Sequence, residues 1–458
     1  MEAEAIAAKV ERARELTQNL ITQGVRAVAI TMVDNAGVTR VKTVPVSLFE
    51  RAVRFGIGLT PVFNVFMVND FITSSAEVGG PTGDLRLMPD PSVLRPLAAQ
   101  PGWAWAPTDQ YTQEGDVFPC CQRSFARRMT DRLTELGITA KMSFELEWFV
   151  ARSVGDEVVP IHRGPAYSAA VLAEVSDFAR DLIVALEDEG IGVEQFHPEY
   201  ATGQLEISVA PQDPVGAADI NVLVRQTIRG VSARFGLKSS FAPVAIAGEV
   251  GNGGHVHFSL WEEGQNVFAG GDGPYGMTDR GEAFVAGVLE ELPALVAIGS
   301  PSVASYLRLI PHHWAGAFAC WGRENREAAI RFVTGMVGSR ETAANTEVKC
   351  FDESANPYLV AGSLLAAGLS GIERNLTLPQ EVTADPGTLS AEEQDRMGVR
   401  RLPQSLEEAA AHLEKSEVLR DALGQMLFNA FVAVRRAEID LFAGKNDEEV
   451  VAAHRWRY

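Results

Sequence analysis

Met142-Ser143-Phe144-Glu145-Leu146-Glu147-Trp148-Phe149-Val150 sets two carboxylates two residues apart inside an apolar, aromatic run. Such a run reads as a strand. On a strand, residues at spacing two project to one face, so Glu145 and Glu147 point the same way. Two other stretches repeat the theme. His255-Val256-His257 has the same spacing, follows Gly251-Asn252-Gly253-Gly254 and runs on into Phe258-Ser259-Leu260. Glu199 and Glu206 lie in Phe196-His197-Pro198-Glu199-Tyr200-Ala201-Thr202-Gly203-Gln204-Leu205-Glu206. There a Pro and a Gly predict two short strands joined by a bend, with a carboxylate at each end. Taken singly, each stretch has a plainer reading: an exposed strand face, a polar loop, a structural histidine. Together they put carboxylates and imidazoles on several apolar strands. Such carboxylates repel one another and are costly to desolvate, and a divalent cation offsets both effects. Mostly oxygen ligands with one or two imidazoles favour Mg²⁺ or Mn²⁺ over a closed zinc site.

A chain of 458 residues is long enough for a large core and two domains. Its 46% apolar and 22% charged residues are those of an ordinary soluble globular protein. A net charge of −20 argues against a nucleic-acid partner, which needs a basic surface. Cys120, Cys121, Cys320 and Cys350 show no metal-ligand spacing and read as reduced thiols of a cytoplasmic protein. Met1-Glu2-Ala3-Glu4 is acidic and helical, unlike a signal peptide. The longest uncharged segment, Asn356 to Ile372, reads as a buried helix and not a membrane span. Asn356 is its N-cap and Pro357 its first helical position.

Residues 4–23 predict an amphipathic helix. A strand from Ala27 to Val33, the turn Asp34-Asn35-Ala36-Gly37 and a strand to about Val46 predict a hairpin. A small α+β domain is expected to end near Pro107, giving domains of 1–107 and 108–458. Helices are predicted over Arg123–Leu136, 168–189 with Gly190 as C-cap, and 213–235. The C-terminal stretch from Ser405 to about Leu441 reads as strongly helical, opening with a capping box, Ser405-Leu406-Glu407-Glu408. Glutamate-bearing strands alternating with helices make the second domain α+β.

The sharpest local signal is Asn325-Arg326-Glu327-Ala328-Ala329-Ile330-Arg331, with Arg308 upstream and Glu347 downstream. Arginines at such spacing are ordinarily solvated. Beside a carboxylate–metal cluster they suit a polyphosphate, with guanidinium forks on the transferring phosphoryl group.

With these residues in hand, the chain resembles the glutamine synthetase superfamily over nearly its whole length. The stretches that carry the resemblance are Phe144–Glu147, His197–Glu206, Gly251–Ser259, Asn325–Arg331, and Glu347 through Asn356-Pro357-Tyr358-Leu359. The resemblance implies a small β-grasp-like N-terminal domain and a large catalytic domain whose antiparallel strands form a metal-binding funnel flanked by helices. It implies a homo-oligomer, a dodecamer of two stacked hexamers, with each site completed by a neighbour's N-terminal domain. It implies ATP and two or more Mg²⁺ or Mn²⁺ ions per site, one held by Glu147, Glu199 and Glu206, the other by Glu145, His255 and Glu347. By the same resemblance Glu194, His257 and Ser259 contact ATP, and Arg326 and Arg331 act at the transferring phosphate. Gly251, Arg308 and Lys349 bind glutamate. The chemistry implied is phosphorylation of the glutamate γ-carboxylate, then attack of an amine on the acyl phosphate.

The departures from the family pattern decide the expected substrate. Glutamine synthetases carry an acidic residue six positions after the arginine matching Arg308, where it binds and deprotonates ammonium. This chain has Trp314 there. The family's N-terminal Asp is also missing: Phe55 to Phe66 contains no acid. Lys349 stands where the family usually has an arginine, and Ala343-Ala344-Asn345-Thr346 replaces a basic cluster. No tyrosine occurs between Tyr358 and Tyr458, so control by adenylylation is not expected. A glutamate–amine ligase making a γ-glutamylamide is therefore the leading expectation. Trp314, Phe63 and Phe66 are the expected amine pocket, and favour a small alkyl or aryl amine over a polyamine. The rivals are a glutamine synthetase with an altered ammonium site and a catalytically silent structural member.

Overall fold

Two sheets divide the chain in the computed structural model, which describes residues 3–154 and 157–458. The first sheet has strands β1 (Ala27–Val33), β2 (Thr39–Pro45), β3 (Ile57–Leu59), β4 (Leu85–Pro89), β5 (Arg95–Pro96) and β6 (Trp103–Tyr111). Their order is β2-β1-β6-β4-β3, with β5 added on β6. The β1–β2 hairpin turns on Asp34, whose carboxylate accepts the N–H groups of Ala36 and Val38, and on Gly37 at φ 81°. The helix Ala3–Thr22 packs on this sheet. Met1 and Glu2, the first residues of the acidic N-terminal stretch, lie outside the described residues. β6 passes through Pro107, the position at which the sequence predicted the division into domains.

The second sheet carries the acidic motifs. Its strands are β7 (Ile138–Val154), β8 (Glu157–Pro160), β9 (Val193–Pro198), β10 (Gln204–Val209), β11 (Lys238–Ser240), β12 (Gly254–Glu262), β13 (Gln265–Asn266), β14 (Phe318–Arg323), β15 (Ala328–Val333), β16 (Asn345–Val348) and β17 (Arg400–Arg401). The order is β17-β14-β15-β16-β12-β7-β10-β9. Pairing is antiparallel except between β14 and β15. This is the α+β architecture expected, with helices Gln122–Glu135, Ala169–Asp188, Pro214–Arg234, Asp279–Gly299 and Pro357–Glu373 flanking the sheet.

Pro357–Glu373 is buried on nearly every side, as its uncharged sequence requires. Asn356 caps it, accepting the N–H groups of Tyr358 and Leu359, while its amide donates to Val33 and Asp34 carbonyls of the first domain. A second tie between the domains is ionic. Arg123 reaches Asp90 and Asp109 on one side and Asp219 on the other, all buried. The stretch from Ser405 to about Leu441 is helical, as its sequence reads, and is divided into separate helices. It is three helices, Leu406–Leu413, Glu417–Leu423 and Gln425–Phe442, because Ser416 starts a new cap and Gly424 sits at φ 76°. The Ser405 capping box is also only half formed: Ser405 accepts the Glu408 N–H, but the Glu408 carboxylate takes the N–H of Gln404. Among the described residues no helix is long and apolar enough to cross a membrane. All four cysteines are free and buried.

Candidate active site

Strand register assembles the site. Antiparallel pairing sets Glu206 opposite both His197 and Glu147, and Glu145 opposite His255. His257 then lies opposite Glu347, and Glu347 opposite Arg331. Residues far apart in sequence thus become a row across six adjacent strands, without help from loops. Glu145, His255 and Glu347 bring one ligand atom each within 4.8 Å of the others, and so do His197, Glu199 and Glu206. The first group is the one predicted. In the second, His197 occupies the place given to Glu147. The Glu147 Oε2 is held by the Gly253 N–H at 2.6 Å and the Gln204 amide at 2.9 Å, while its Oε1 lies 3.7 Å from His255 Nε2. Gly253 is needed for this approach: a Cβ there would sit 2.4 Å from His255 Nε2.

The two groups are electrostatically opposite. Burial works against the Glu145 anion, yet the hydrogen bond and charge of His255 hold its carboxyl down to about 2. Burial likewise opposes Glu347, but Lys349, His257, His255 and Arg331 hold it well below the carboxylate range. In the second group burial wins. Desolvation, then repulsion from Glu145, Glu147 and Glu199, pushes Glu206 up to about 10. Desolvation pushes Glu199 up to about 7, against a hydrogen bond from Tyr167. The Glu199 Oε2 is buried with no hydrogen-bond partner. A carboxylate pair that cannot both ionise, with an orphaned oxygen between histidine and acid, fits a divalent cation.

The basic residues face the same cluster. Arg331 Nη1 lies 2.9 Å from Glu347, and Lys349 Nζ 3.1 Å from its other oxygen. Arg308 donates to His255 Nε2 at 3.2 Å and to the Lys349 carbonyl at 3.1 Å, leaving its Nη1 buried without a partner. His255 Nδ1 lies 2.9 Å from Glu145 Oε1. Gly251 lies against Arg308 and offers its carbonyl to Gln204.

Residues 12–117 match the glutamine synthetase N-terminal domain, and residues 119–452 match the glutamine synthetase catalytic domain. The chain belongs to the glutamine synthetase family. Among curated relatives it is 52% identical to the gamma-glutamylpolyamine synthetase GlnA3 of Streptomyces coelicolor, over 98% of this chain and 97% of that one. It is 31% identical to the glutamine synthetase of Methanocaldococcus jannaschii, over 94% and 95%. Among solved structures, a novel glutamine synthase homologue superposes with a TM-score of 0.85 at 33% identity, covering 95% of this chain and 99% of that one. A GmaS complex with ADP superposes at 0.82 and 28% identity, covering 94% and 97%.

Set against that family pattern, the remaining predicted residues divide. His257 joins the cluster, with Nε2 within 3.9 Å of both Glu145 and Glu347 and Nδ1 on Asn345 at 2.9 Å. Ser259 is buried and accepts the Trp261 indole N–H. Glu194 is exposed on β9, three residues before His197. Arg326 is exposed on the turn between β14 and β15 and makes no hydrogen bond or ion pair among the described residues. Trp314 is 59% exposed on the turn after Leu309, with φ at 53°. Phe63 and Phe66 pack on each other in the N-terminal domain, 4.8 Å between centroids, with Arg40 over Phe66. No ring contact among the described residues joins them to Trp314 within one chain. Three residues went unassigned in the sequence. His197 lay in a quoted motif and shares its strand with Glu194. Glu327 lay between the two arginines. Tyr167, which bonds Glu199 and stacks on His197, sits in a loop with no sequence signal.

Proposed function

We propose that the amine substrate is a polyamine. The chain is an ATP-dependent ligase that joins the glutamate γ-carboxylate to an organic amine through γ-glutamyl phosphate, releasing ADP and phosphate. The observation carrying this reading is the contrast within the site. The carboxylate, histidine and arginine row is complete across the sheet, whereas the family's ammonium-binding acid is replaced by Trp314. A silent scaffold would not retain carboxylates as costly as Glu199 and Glu206.

The small alkyl or aryl amine favoured by the sequence gives way to a polyamine on two grounds. The relative from Streptomyces coelicolor, 52% identical over nearly the full length, is a gamma-glutamylpolyamine synthetase. The turn beside Trp314 also carries acids that several ammonium groups would use. Asn325 ties the 324–327 turn to the Val382 and Ala384 carbonyls, Glu381 accepts the Arg323 N–H, and Asp385 lies near enough to act on the Glu327 carboxyl.

In this reading Glu145, His255 and Glu347 hold one divalent cation, and Glu199 and Glu206, with Glu147 or His197, hold a second. Bound cations neutralise charge on the transferring phosphoryl group. Arg331 contributes a guanidinium to the same charge, with Arg326 reaching in from its exposed turn. Arg308 and Lys349 bind glutamate's carboxylates, and Gly251 leaves room beside Arg308. Glu194, His257 and Ser259 contact ATP. Phe63 and Phe66 would reach the amine of a neighbouring subunit's site, in a stacked hexamer working in the cytoplasm. The test is kcat/KM for ammonium, methylamine, isopropylamine, ethanolamine, aniline and spermine under one set of conditions. Spermine should rank first, and ammonium ranking first would refute the reading.

A further inference from the structure

We propose that Glu327 receives the amine: its free oxygen binds the substrate's ammonium group and accepts the proton that must leave before attack. The proposal rests on the ligase reading above.

Glu327 is 6% exposed. Its Oε1 accepts the Trp314 backbone N–H at 2.9 Å, and its Oε2 is buried with no hydrogen-bond partner. A carboxylate oxygen held from water without a donor is costly to maintain, and a cationic donor offsets that cost. Its position points into the site. On β15 Ala329 and Arg331 share one face, and Glu327 ends the turn just before the strand, where the Lys349 charge reaches its carboxyl. Arg331 lies against Glu347, and the Ala329 carbonyl takes the Lys349 N–H at 2.9 Å. Glu327 therefore extends the row of site-facing groups one step beyond Lys349. Burial pushes its carboxyl up, with Asp385 adding to the shift and His312 and Lys349 opposing it. A carboxylate raised in this way is a better base.

The location answers the question posed by Trp314. The family acid is absent from that position, yet a carboxylate bonds to the backbone of the residue that replaced it. The negative charge has moved 13 residues along the chain and remains beside the same loop. In the step proposed, the ammonium group gives one proton to Glu327. The nitrogen lone pair then forms the C–N bond at the γ-carbonyl carbon, and the C–O bond to phosphate breaks. Phosphate leaves with the electron pair and takes the second N–H proton.

The plainer alternative is that Glu327 only tethers the Trp314 loop. Glu327→Gln separates the two, because the amide oxygen still accepts the Trp314 N–H while the charge and the base are gone. The variant is assayed with glutamate, ATP and Mg²⁺, using spermine, ammonium or hydroxylamine as nucleophile. Hydroxylamine is uncharged at neutral pH and needs neither counter-charge nor base. Turnover of the cationic amines should fall by about 10²-fold or more, the usual scale of a lost general base. The loss with hydroxylamine should be at least about tenfold smaller. Equal losses for all nucleophiles, or none, would overturn the proposal. Should Glu327→Gln not fold, Glu327→Ala with added formate decides it: recovery of spermine turnover without recovery of hydroxylamine turnover supports the base, and no recovery refutes it. If the wild type prefers ammonium to every organic amine, the polyamine reading fails. The ammonium-to-hydroxylamine comparison still decides Glu327.

Discussion

The site has two sides built by different means. On the metal side Glu145, Glu147, Glu206, His255, Glu347 and Arg331 stand on paired strands, and each neighbour is dictated by register. On the amine side Trp314, His312 and Glu324 lie in turns, and all three have φ between 53° and 65°. None of those six strand residues has that conformation; on the metal side it is confined to the loop residue Tyr167, at φ 55°, which bonds Glu199. Backbone of this kind is uncommon for residues with a Cβ and marks places where surrounding structure holds the chain against its preference. The chemistry shared by the family is thus fixed by a sheet that cannot slip without losing every contact. In the reading proposed, the choice of nucleophile is left to loops that can change residue by residue.

The largest test of this division is on the metal side. Glu206→Gln should lower turnover by about 10³-fold or more, since a bound cation supplies several kcal/mol of charge stabilisation. The same change removes a carboxylate that burial and three neighbouring acids already disfavour. Thermal unfolding with EDTA should therefore show a melting temperature equal to or above wild type. Near-normal turnover, or a marked loss of stability, would break the picture of a row strained by its own charge.

Arg331→Ala should come next. Its guanidinium is held on Glu347 and should meet the phosphoryl oxygens more strongly in the transition state. A fall in kcat of about 10²-fold is expected, with little change in the KM for ATP. If steady-state kinetics shows only the KM moving, Arg331 is a ground-state nucleotide contact and the phosphoryl role belongs elsewhere.

On the amine side the effect should be smaller and selective. Trp314→Ala leaves the Glu327 contact, which uses the backbone, and removes only the indole. The KM for spermine should rise by about tenfold, the scale of a lost cation–π contact, while kcat with hydroxylamine stays close to wild type. A parallel loss in both would place Trp314 in folding of the loop and not in amine choice.

The same division explains what the sequence could and could not reveal. Spacing two in Glu145-Leu146-Glu147 and His255-Val256-His257 is a local signal, and it put the right side chains on one face. The cap at Asn356 and the Asp34 turn are equally local, and those elements form where predicted. The order of the strands depends on distant pairings, among them Glu145 with His255 at a separation of 110 residues, and no window of sequence carries it. The breaks at Ser416 and Gly424 come from a new cap and a positive-φ glycine inside a stretch whose sequence reads as helical throughout. Tyr167 and Glu327 owe their places to loops, where the partner and not the spacing decides the contact.

The smallest prediction concerns protons in the second metal group. Burial raises the folded-state carboxyl of Glu199 to about 7, above its ordinary 4.5. Between those values the folded protein keeps a proton that the unfolded chain has released. This group's contribution to stability is therefore full below pH 4.5 and is lost as pH rises through 7. A divalent cation takes the deprotonated carboxylate, so binding releases that proton. Its apparent affinity should rise up to about tenfold per pH unit below 7 for each proton released, or about 1.4 kcal/mol of added stabilisation. The difference in melting temperature with and without Mg²⁺ should then widen by about 2 °C or more between pH 6 and pH 8. Tyr167→Phe sharpens the test. The Tyr167 hydroxyl donates to Glu199 at 2.8 Å and holds its carboxyl down, so its removal should move the widening to higher pH. A difference that stays flat from pH 6 to pH 8 in the wild type would mean that Glu199 is already ionised. It would count against Glu206 as well, because a carboxyl pushed up to about 10 would also release a proton to the cation in that range.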